Sequence, residues 1–150
     1  MAQDRLFLDA NILVAGAISP GGGSGYILLL GEMGSIEILV CDQVLTEARH
    51  ALERKAPRAL SEFERIIRAV KPQICPAPTM SEIARCREMI HPDDAPILAA
   101  AIKAKPDSLI TLNTHHFTDD PKVAQLAGLR IETPGVYLAR LRQRLSEATL

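Results

Sequence analysis

A carboxylate ends the first apolar run of this chain, Leu6-Phe7-Leu8-Asp9-Ala10-Asn11-Ile12-Leu13-Val14. An ionised carboxyl in such a setting is costly unless a partner or a cation compensates it. Residues 6–8 read as a short strand of a parallel sheet, which puts Asp9 at its carboxyl end. Open α/β sheets place their ligands at that edge. Asn11, two residues on, can orient the carboxylate or hold a metal-bound water. Three further polar positions stand where the pattern predicts burial or a sheet edge. Glu47 borders the apolar stripe Val44, Leu45, Ala48 and Leu52 of a helix. The pair Asp93-Asp94 opens an alanine-rich helix with almost no polar face. Asn113 ends the strand over residues 108–112.

With right-handed crossovers, strand ends and helix N-termini share one rim, so Asp9, Asp94 and Asn113 can meet although they lie far apart in the chain. Glu47 joins them if its helix leans over that rim. Such acids repel one another without a cation. Oxygen donors with room for water suit Mg²⁺ or Mn²⁺ rather than Zn²⁺. Each residue alone has a plainer reading: Asp94 as a helix cap, Glu47 as a solvated helix charge, Asp9 and Asn113 as turn residues. Only the ordered set on a βα framework is specific.

The elements that must position the set alternate along the chain. A breaker, Pro20-Gly21-Gly22-Gly23-Ser24, precedes a helix over residues 24–33 with Ser24 as its cap, and its glycines could border a substrate channel. A strand at 36–40 leads into the Glu47 helix at 43–55, with Asp42 as a candidate cap. Capping boxes start at Ser61 and Thr79. Short strands at 74–76 and 130–132, a helix at 121–127 and a closing helix at 135–147 complete the series. Strands alternating with helices predict an α/β fold whose parallel sheet is covered on both faces.

Composition is consistent with this. The 150 residues suit one domain, 1–150. With 3% aromatics and no Trp, the core must be aliphatic. A net charge of −1 gives neither a strong polyanion field nor a preference for membrane surfaces, so nucleic acid would need local basic patches. Candidates are Arg49, Arg54, Lys55 and Arg58, and Arg130, Arg140, Arg142 and Arg144. Cys41, Cys75 and Cys86 have no metal-ligand spacing, and with no secretory signal they point to a reducing cytoplasm. No apolar stretch reaches the roughly 18 residues of a membrane span.

Four segments together resemble the PIN-domain ribonucleases, closely the bacterial toxin-like (VapC-like) branch. They are residues 8–13 around Asp9, Val44-Leu45-Thr46-Glu47, Asp93-Asp94-Ala95-Pro96-Ile97-Leu98-Ala99-Ala100-Ala101, and Leu109-Ile110-Thr111-Leu112-Asn113-Thr114-His115-His116-Phe117. Ser19-Pro20-Gly21-Gly22 also looks like that branch. The resemblance runs over about residues 6–140. It implies a three-layer α/β/α sandwich around a mostly parallel sheet of about five strands. It further implies a metal-dependent endoribonuclease acting on single-stranded RNA through a metal-activated water, leaving a 5′-phosphate, as the toxin of a type II toxin–antitoxin pair.

On that resemblance Asp9, Glu47 and Asp94 fall on the family's core acids. Asp9 and Asp94 would hold Mg²⁺, with Mn²⁺ as the alternative, and Glu47 would hold a second ion or orient the attacking water. Asn113 stands where many members carry a fourth acid, which lowers the local charge by one. Thr111 matches a hydroxyl position that can hold a metal-bound water, and Asp93 could replace Asp94 in a shifted register. His115 and His116 read as loop residues rather than an acid–base pair. The expected partners are RNA, an antitoxin and a second copy of the chain, the last through Ile66, Ile67 and Val70 with Ile83, Met89 and Ile90. The rival is a non-cleaving PIN-fold module that binds RNA or a protein. A haloacid-dehalogenase-type phosphatase fits poorly, because Asn11 replaces the second acid of its Asp-x-Asp motif and its later acidic motif is absent.

Overall fold

A computed structural model describes residues 3–148. Five strands form one parallel sheet in the order β3-β2-β1-β4-β5. The central strand β1 (Asp4–Leu8) pairs with β2 (Ile36–Val40) on one side and β4 (Ser108–Ile110) on the other. The edges are β3 (Gln73–Ile74) and β5 (Ile131–Glu132). From β1 the chain steps outward to β2 and β3, then returns across β1 to β4 and β5. The helices that make the first two steps are α1 (Ala10–Ile18), α2 (Gly23–Glu32), α3 (Asp42–Lys55) and α4 (Leu60–Val70). Those that make the return steps are α5 (Met80–Cys86), α6 (Ala95–Ala104), α7 (Thr114–Phe117) and α8 (Lys122–Ala127). Right-handed crossovers therefore place the two groups on opposite faces of the sheet. The closing helix α9 (Pro134–Ala148) packs against α2. The expected three-layer fold is what the chain adopts.

Burial follows from composition. Leu6, Phe7 and Leu8 are fully enclosed, as apolar residues on both faces of a covered parallel strand must be. Ala95 and the run from Ile97 to Ala101 are buried on α6, whose small side chains let it sit close to the sheet. Among the described residues no single helix is long and apolar enough to cross a membrane.

Several local expectations change. Ser24 does not cap α2: Gly22 takes the cap position without a side-chain bond, and Ser24 is buried inside the helix. Asp42 is the first residue of α3 rather than its cap, which is Cys41. The box at Ser61 does not form, because a 3₁₀ turn at Pro57–Ala59 runs straight into α4 and occupies the start of the helix. The box at Thr79 does form, with Thr79 Oγ1 accepting from the Glu82 amide at 3.2 Å and Glu82 Oε1 accepting from the Thr79 amide at 2.7 Å. The apolar residues expected on a dimer face are spent on the core: Ile66 and Ile90 are buried, and Ile67, Val70, Ile83 and Met89 pack beside them. The large apolar side chains left exposed include Tyr26 and Leu29 on α2, Met33 just after it, and Val136 and Leu145 on α9.

The glycine-rich segment makes a tight corner between α1 and α2, whose axes differ by 96°. A Cβ on Gly25 would come within 2.6 Å of the Pro20 carbonyl carbon, and one on Gly16 would strike the Leu28 side chain. The C-terminal arginines are also structural. Glu132 is buried and accepts from Ser108 Oγ at 2.7 Å and from Arg140 Nε and Nη2 at 3.0 and 2.8 Å. Asp4 accepts from the enclosed Tyr137 hydroxyl at 2.6 Å and from Arg144. Asp4 begins β1, so this ion pair lies at the sheet edge opposite Asp9. Arg49 is likewise tied to Glu64 at 2.8 Å.

Two stability outcomes follow. Gly25→Ala should lower the unfolding free energy by about 1–3 kcal/mol in denaturant titration, since backbone rather than a flexible side-chain tip must move. Arg140→Met should cost about 3 kcal/mol at neutral pH by stranding the Glu132 carboxylate. Burial alone would raise the Glu132 pKa, but the Arg140 guanidinium and the Ser108 hydroxyl outweigh it and hold it below the usual range. The stabilisation is therefore present above the unfolded-state carboxylate pKa and is lost as pH falls through the lower folded value. The gap between Arg140→Met and wild type should close in acid, and a gap of constant size would contradict this origin.

Candidate metal and active site

The candidate residues gather where β1 parts from β4. The sheet reverses its strand order at that point, so the loops after the two strands diverge and leave a crevice. Asp9 follows β1 directly, and its amide donates to the Ile110 carbonyl at 3.0 Å, so the strand pairing positions the carboxylate. Asp9 is also the N-cap of α1, with Oδ1 accepting from the Ala10 amide at 2.7 Å. Its Oδ2 accepts from Thr111 Oγ1 at 2.8 Å and from Asn11 Nδ2 at 3.2 Å. Asn11 Oδ1 in turn accepts from the Leu112 amide at 3.1 Å, which ties α1 to the end of β4. Asp9, whose plainer reading is a turn residue, thus caps α1 and at the same time bonds to the end of β4.

Thr111 is fully buried, and its hydroxyl also accepts from the Asn113 amide at 3.0 Å. Its hydroxyl proton goes to Asp9 rather than to a water. Asn113 caps the short α7 by accepting from the His116 amide at 3.3 Å, while its Nδ2 donates to Asp94 Oδ1 at 3.3 Å. A continuous line of hydrogen bonds therefore runs from Asp9 through Thr111 and Asn113 to Asp94. Asp94 occupies the N-cap position of α6, yet its side chain makes no capping bond. Its Oδ2 lies 2.5 Å from His116 Nδ1 instead. The two neighbouring acids differ sharply in placement: the Asp94 side chain is 18% exposed and turned into the site, whereas that of Asp93 is 87% exposed and lies 3.7 Å from His91 Nδ1.

Glu47 is exposed on α3, and its Oε1 accepts from Gln43 Nε2 at 2.8 Å. No hydrogen bond joins it to the Asp9 line among the described residues, but its charge reaches Asp9. Burial is the largest cause that pushes the Asp9 carboxyl above the usual range. The Thr111 and Ala10 donors oppose this, and the charges of Glu47 and Asp94 add to it. Those two acids are thus electrostatic neighbours of Asp9, as the rim argument requires.

Two residues were missed by sequence reasoning. His91 stacks on His116, with ring centroids 4.6 Å apart and planes within 2°, and the pair flanks Asp94. The spacing was the available signal, since each histidine lies three residues from a candidate, His91 before Asp94 and His116 after Asn113. His115 is exposed, with Nδ1 4.0 Å from Asp119 and its ring tilted against that of His116, the centroids 5.0 Å apart.

The carboxylates of Asp9, Asp94 and Glu47 are hard oxygen donors, and the protonation bias at Asp9 marks negative charge that the protein leaves uncompensated. Both features fit a divalent cation. Asp9→Asn should raise the thermal midpoint of EDTA-treated protein at neutral pH. A carboxyl whose folded pKa is raised contributes stability below its unfolded-state pKa and loses it as pH rises through the folded value. The gain should therefore vanish in acid, and a lower midpoint for Asp9→Asn at neutral pH would contradict it.

The PIN-domain family model matches residues 5–115. Compared with curated proteins, the chain finds no match. Among solved structures it is similar to VapBC2 from Rickettsia felis bound to a DNA fragment from their promoter, with TM-score 0.63 and 19% identity over 86% of this chain and 98% of that one. PAE2754 from Pyrobaculum aerophilum has TM-score 0.63 and 17% identity over 93% and 90%. FitAcB from Neisseria gonorrhoeae has TM-score 0.57 and 15% identity over 86% and 97%. At these identities the three structures speak for the fold, whereas the family model spans all four motifs up to His115, and on that ground the chain belongs to the PIN-domain family.

Proposed function

We propose that this PIN domain is a divalent-metal-dependent endoribonuclease that hydrolyses single-stranded RNA. The observation that carries the reading is Asp9: a buried carboxylate, held by donors on both oxygens, whose proton affinity is raised by burial and by Glu47 and Asp94. A protein gains nothing in stability from that arrangement without a cation.

Asp9 and Asp94 would hold Mg²⁺, or Mn²⁺ in its place. When bound, the ion supplies Lewis acidity, neutralising charge on the scissile phosphate and acidifying the attacking water. The chain's own residues do the positioning. Thr111 and Asn11 aim the Asp9 carboxylate. Asn113 contributes no charge, and its amide holds Asp94 turned inward. Glu47, solvated in the second turn of α3, would orient the attacking water or serve a second ion. No side-chain nucleophile is needed. Arg49, Arg140 and Arg144 are engaged in ion pairs, so phosphate contacts fall to other cations.

The likeness to VapBC2 and FitAcB, together with the VapC-like motifs, supports a role as the toxin of a type II pair with a protein antitoxin, acting in the cytoplasm as a homodimer. Three buried cysteines without disulfides suit a reducing compartment.

The test is cleavage of labelled single-stranded RNA in Mg²⁺ with an EDTA control. Asp9→Asn and Asp94→Asn should each lower the rate by roughly a hundredfold or more while RNA binding persists. Asp93→Asn should stay near wild type. Undiminished cleavage by Asp9→Asn would overturn the assignment. A wild-type protein that binds RNA or a protein partner yet never cuts would establish the non-cleaving module.

A further inference from the structure

Beside the Asp94 oxygen that Asn113 does not hold lies chemistry that an oxygen-only magnesium site does not need. His91 comes from the segment between α5 and α6, Asp94 from the start of α6, and His116 from α7. Each offers one donor atom, and the three atoms lie within 4.8 Å of one another. We propose that His91, Asp94 and His116 form a binding site for a first-row transition ion of the Zn²⁺ or Co²⁺ kind, distinct in selectivity from the Mg²⁺ reading of Asp9.

The donor set decides the metal class. Two imidazole nitrogens and one carboxylate oxygen favour zinc, cobalt or nickel over magnesium, which prefers oxygen and retains its waters. Three protein donors leave a further position open to water or a ligand. Bonds of about 2.0–2.1 Å put tetrahedral donors roughly 3.3 Å apart, so a separation as long as 4.8 Å must shorten by up to about 1.5 Å while the His116–Asp94 edge widens. The side chains have room for that, since His91 is 47% and His116 31% exposed, and the 2.5 Å contact between His116 and Asp94 can open as the ion enters. The His91 Nδ1 contact with the Asp93 amide, at 3.2 Å, fixes that ring and would be exchanged if Nδ1 is the donor. Asn113 Nδ2 donates to the other oxygen of Asp94 at 3.3 Å, the kind of bond that orients a ligating carboxylate, and lies 3.5 Å from His116 Nδ1. The parallel stacking of the two rings brings both imidazoles to the same carboxylate without help from the metal.

Asp94 is common to both sites. An ion between the histidines would withdraw its charge from the surroundings of Asp9. Binding itself does not depend on the nuclease reading, and the test measures binding only.

Tag-free protein is titrated with Co²⁺ and followed by visible d–d absorption, with Zn²⁺ and Mg²⁺ as competitors. Wild type and Asp9→Asn should each bind one Co²⁺ per chain, displaced by Zn²⁺ but not by millimolar Mg²⁺. His91→Gln and His116→Gln should weaken binding by roughly tenfold or more. His91 lies on the surface, so its variant keeps the test decisive even if His116→Gln fails to fold. The proposal is overturned if wild type binds no Co²⁺, if His91→Gln binds as tightly as wild type, or if Mg²⁺ competes on equal terms. A thiolate-to-cobalt charge-transfer band would overturn it too, by placing the ion on Cys41, Cys75 or Cys86.

Discussion

Asp9 is held out of water where β1 and β4 separate, with Ala10, Asn11 and Thr111 all donating to its two oxygens. Those bonds oppose the cost of burial without cancelling it, because the carboxyl still holds its proton more tightly than it would in water. The rest of the rim depends on that imbalance. The β1–β4 pairing delivers the carboxylate, Thr111 at the end of β4 aims it, and the next polar residue, Asn113, hands the hydrogen-bond line on to Asp94. A sheet with a different strand order would not put the ends of β1 and β4 side by side. The topology and the chemistry are in this sense a single constraint.

The acids are not equivalent. Asp9 is enclosed, Asp94 half-turned inward, and Glu47 solvated, so the negative field rises from solvent toward the crevice. Such a gradient favours a cation at the crevice, with Glu47 at its solvent edge accepting from Gln43. The basic residues follow the opposite pattern. Arg140 and Arg144 bond to Glu132 and Asp4, which anchors α9 across β5 and the start of β1. On α3, Lys55 lies eight residues beyond Glu47, about 12 Å along the axis and away from the rim. Positive charge here stabilises the fold, and the rim keeps its negative potential.

Much of this was legible in the sequence because it depends on local pattern. An apolar run ending in Asp9 marked β1, residues 108–112 marked β4 although the strand stops at Ile110, the near absence of polar side chains marked α6 as central, and Thr79 with Glu82 marked a real helix start. What failed was equally physical. Ser24 and Ser61 have the right side chains for capping, but a glycine corner and a 3₁₀ turn begin those helices instead, and a cap is decided by the chain before it. Arg140 and Arg144 looked like free cations because Asp4, the partner of one of them, lies at the other end of the chain. The choice between Asp93 and Asp94 could not be read from adjacency. It is set by which side chain α6 directs toward Asn113, a property of the packed helix.

Asn113 illustrates how one substitution can change a site without emptying it. An acid at this position would stand beside Asp94 and repel it, and a cation would have to hold the two together. The amide instead donates to Asp94, so the carboxylate is oriented before any ion arrives, at the loss of one unit of negative charge. That orientation also leaves Asp94 Oδ2 free to meet His116, an approach that a second carboxylate competing for the imidazole would weaken. The amide thus favours a site whose Asp94 is oriented in advance over a more acidic one whose carboxylates repel.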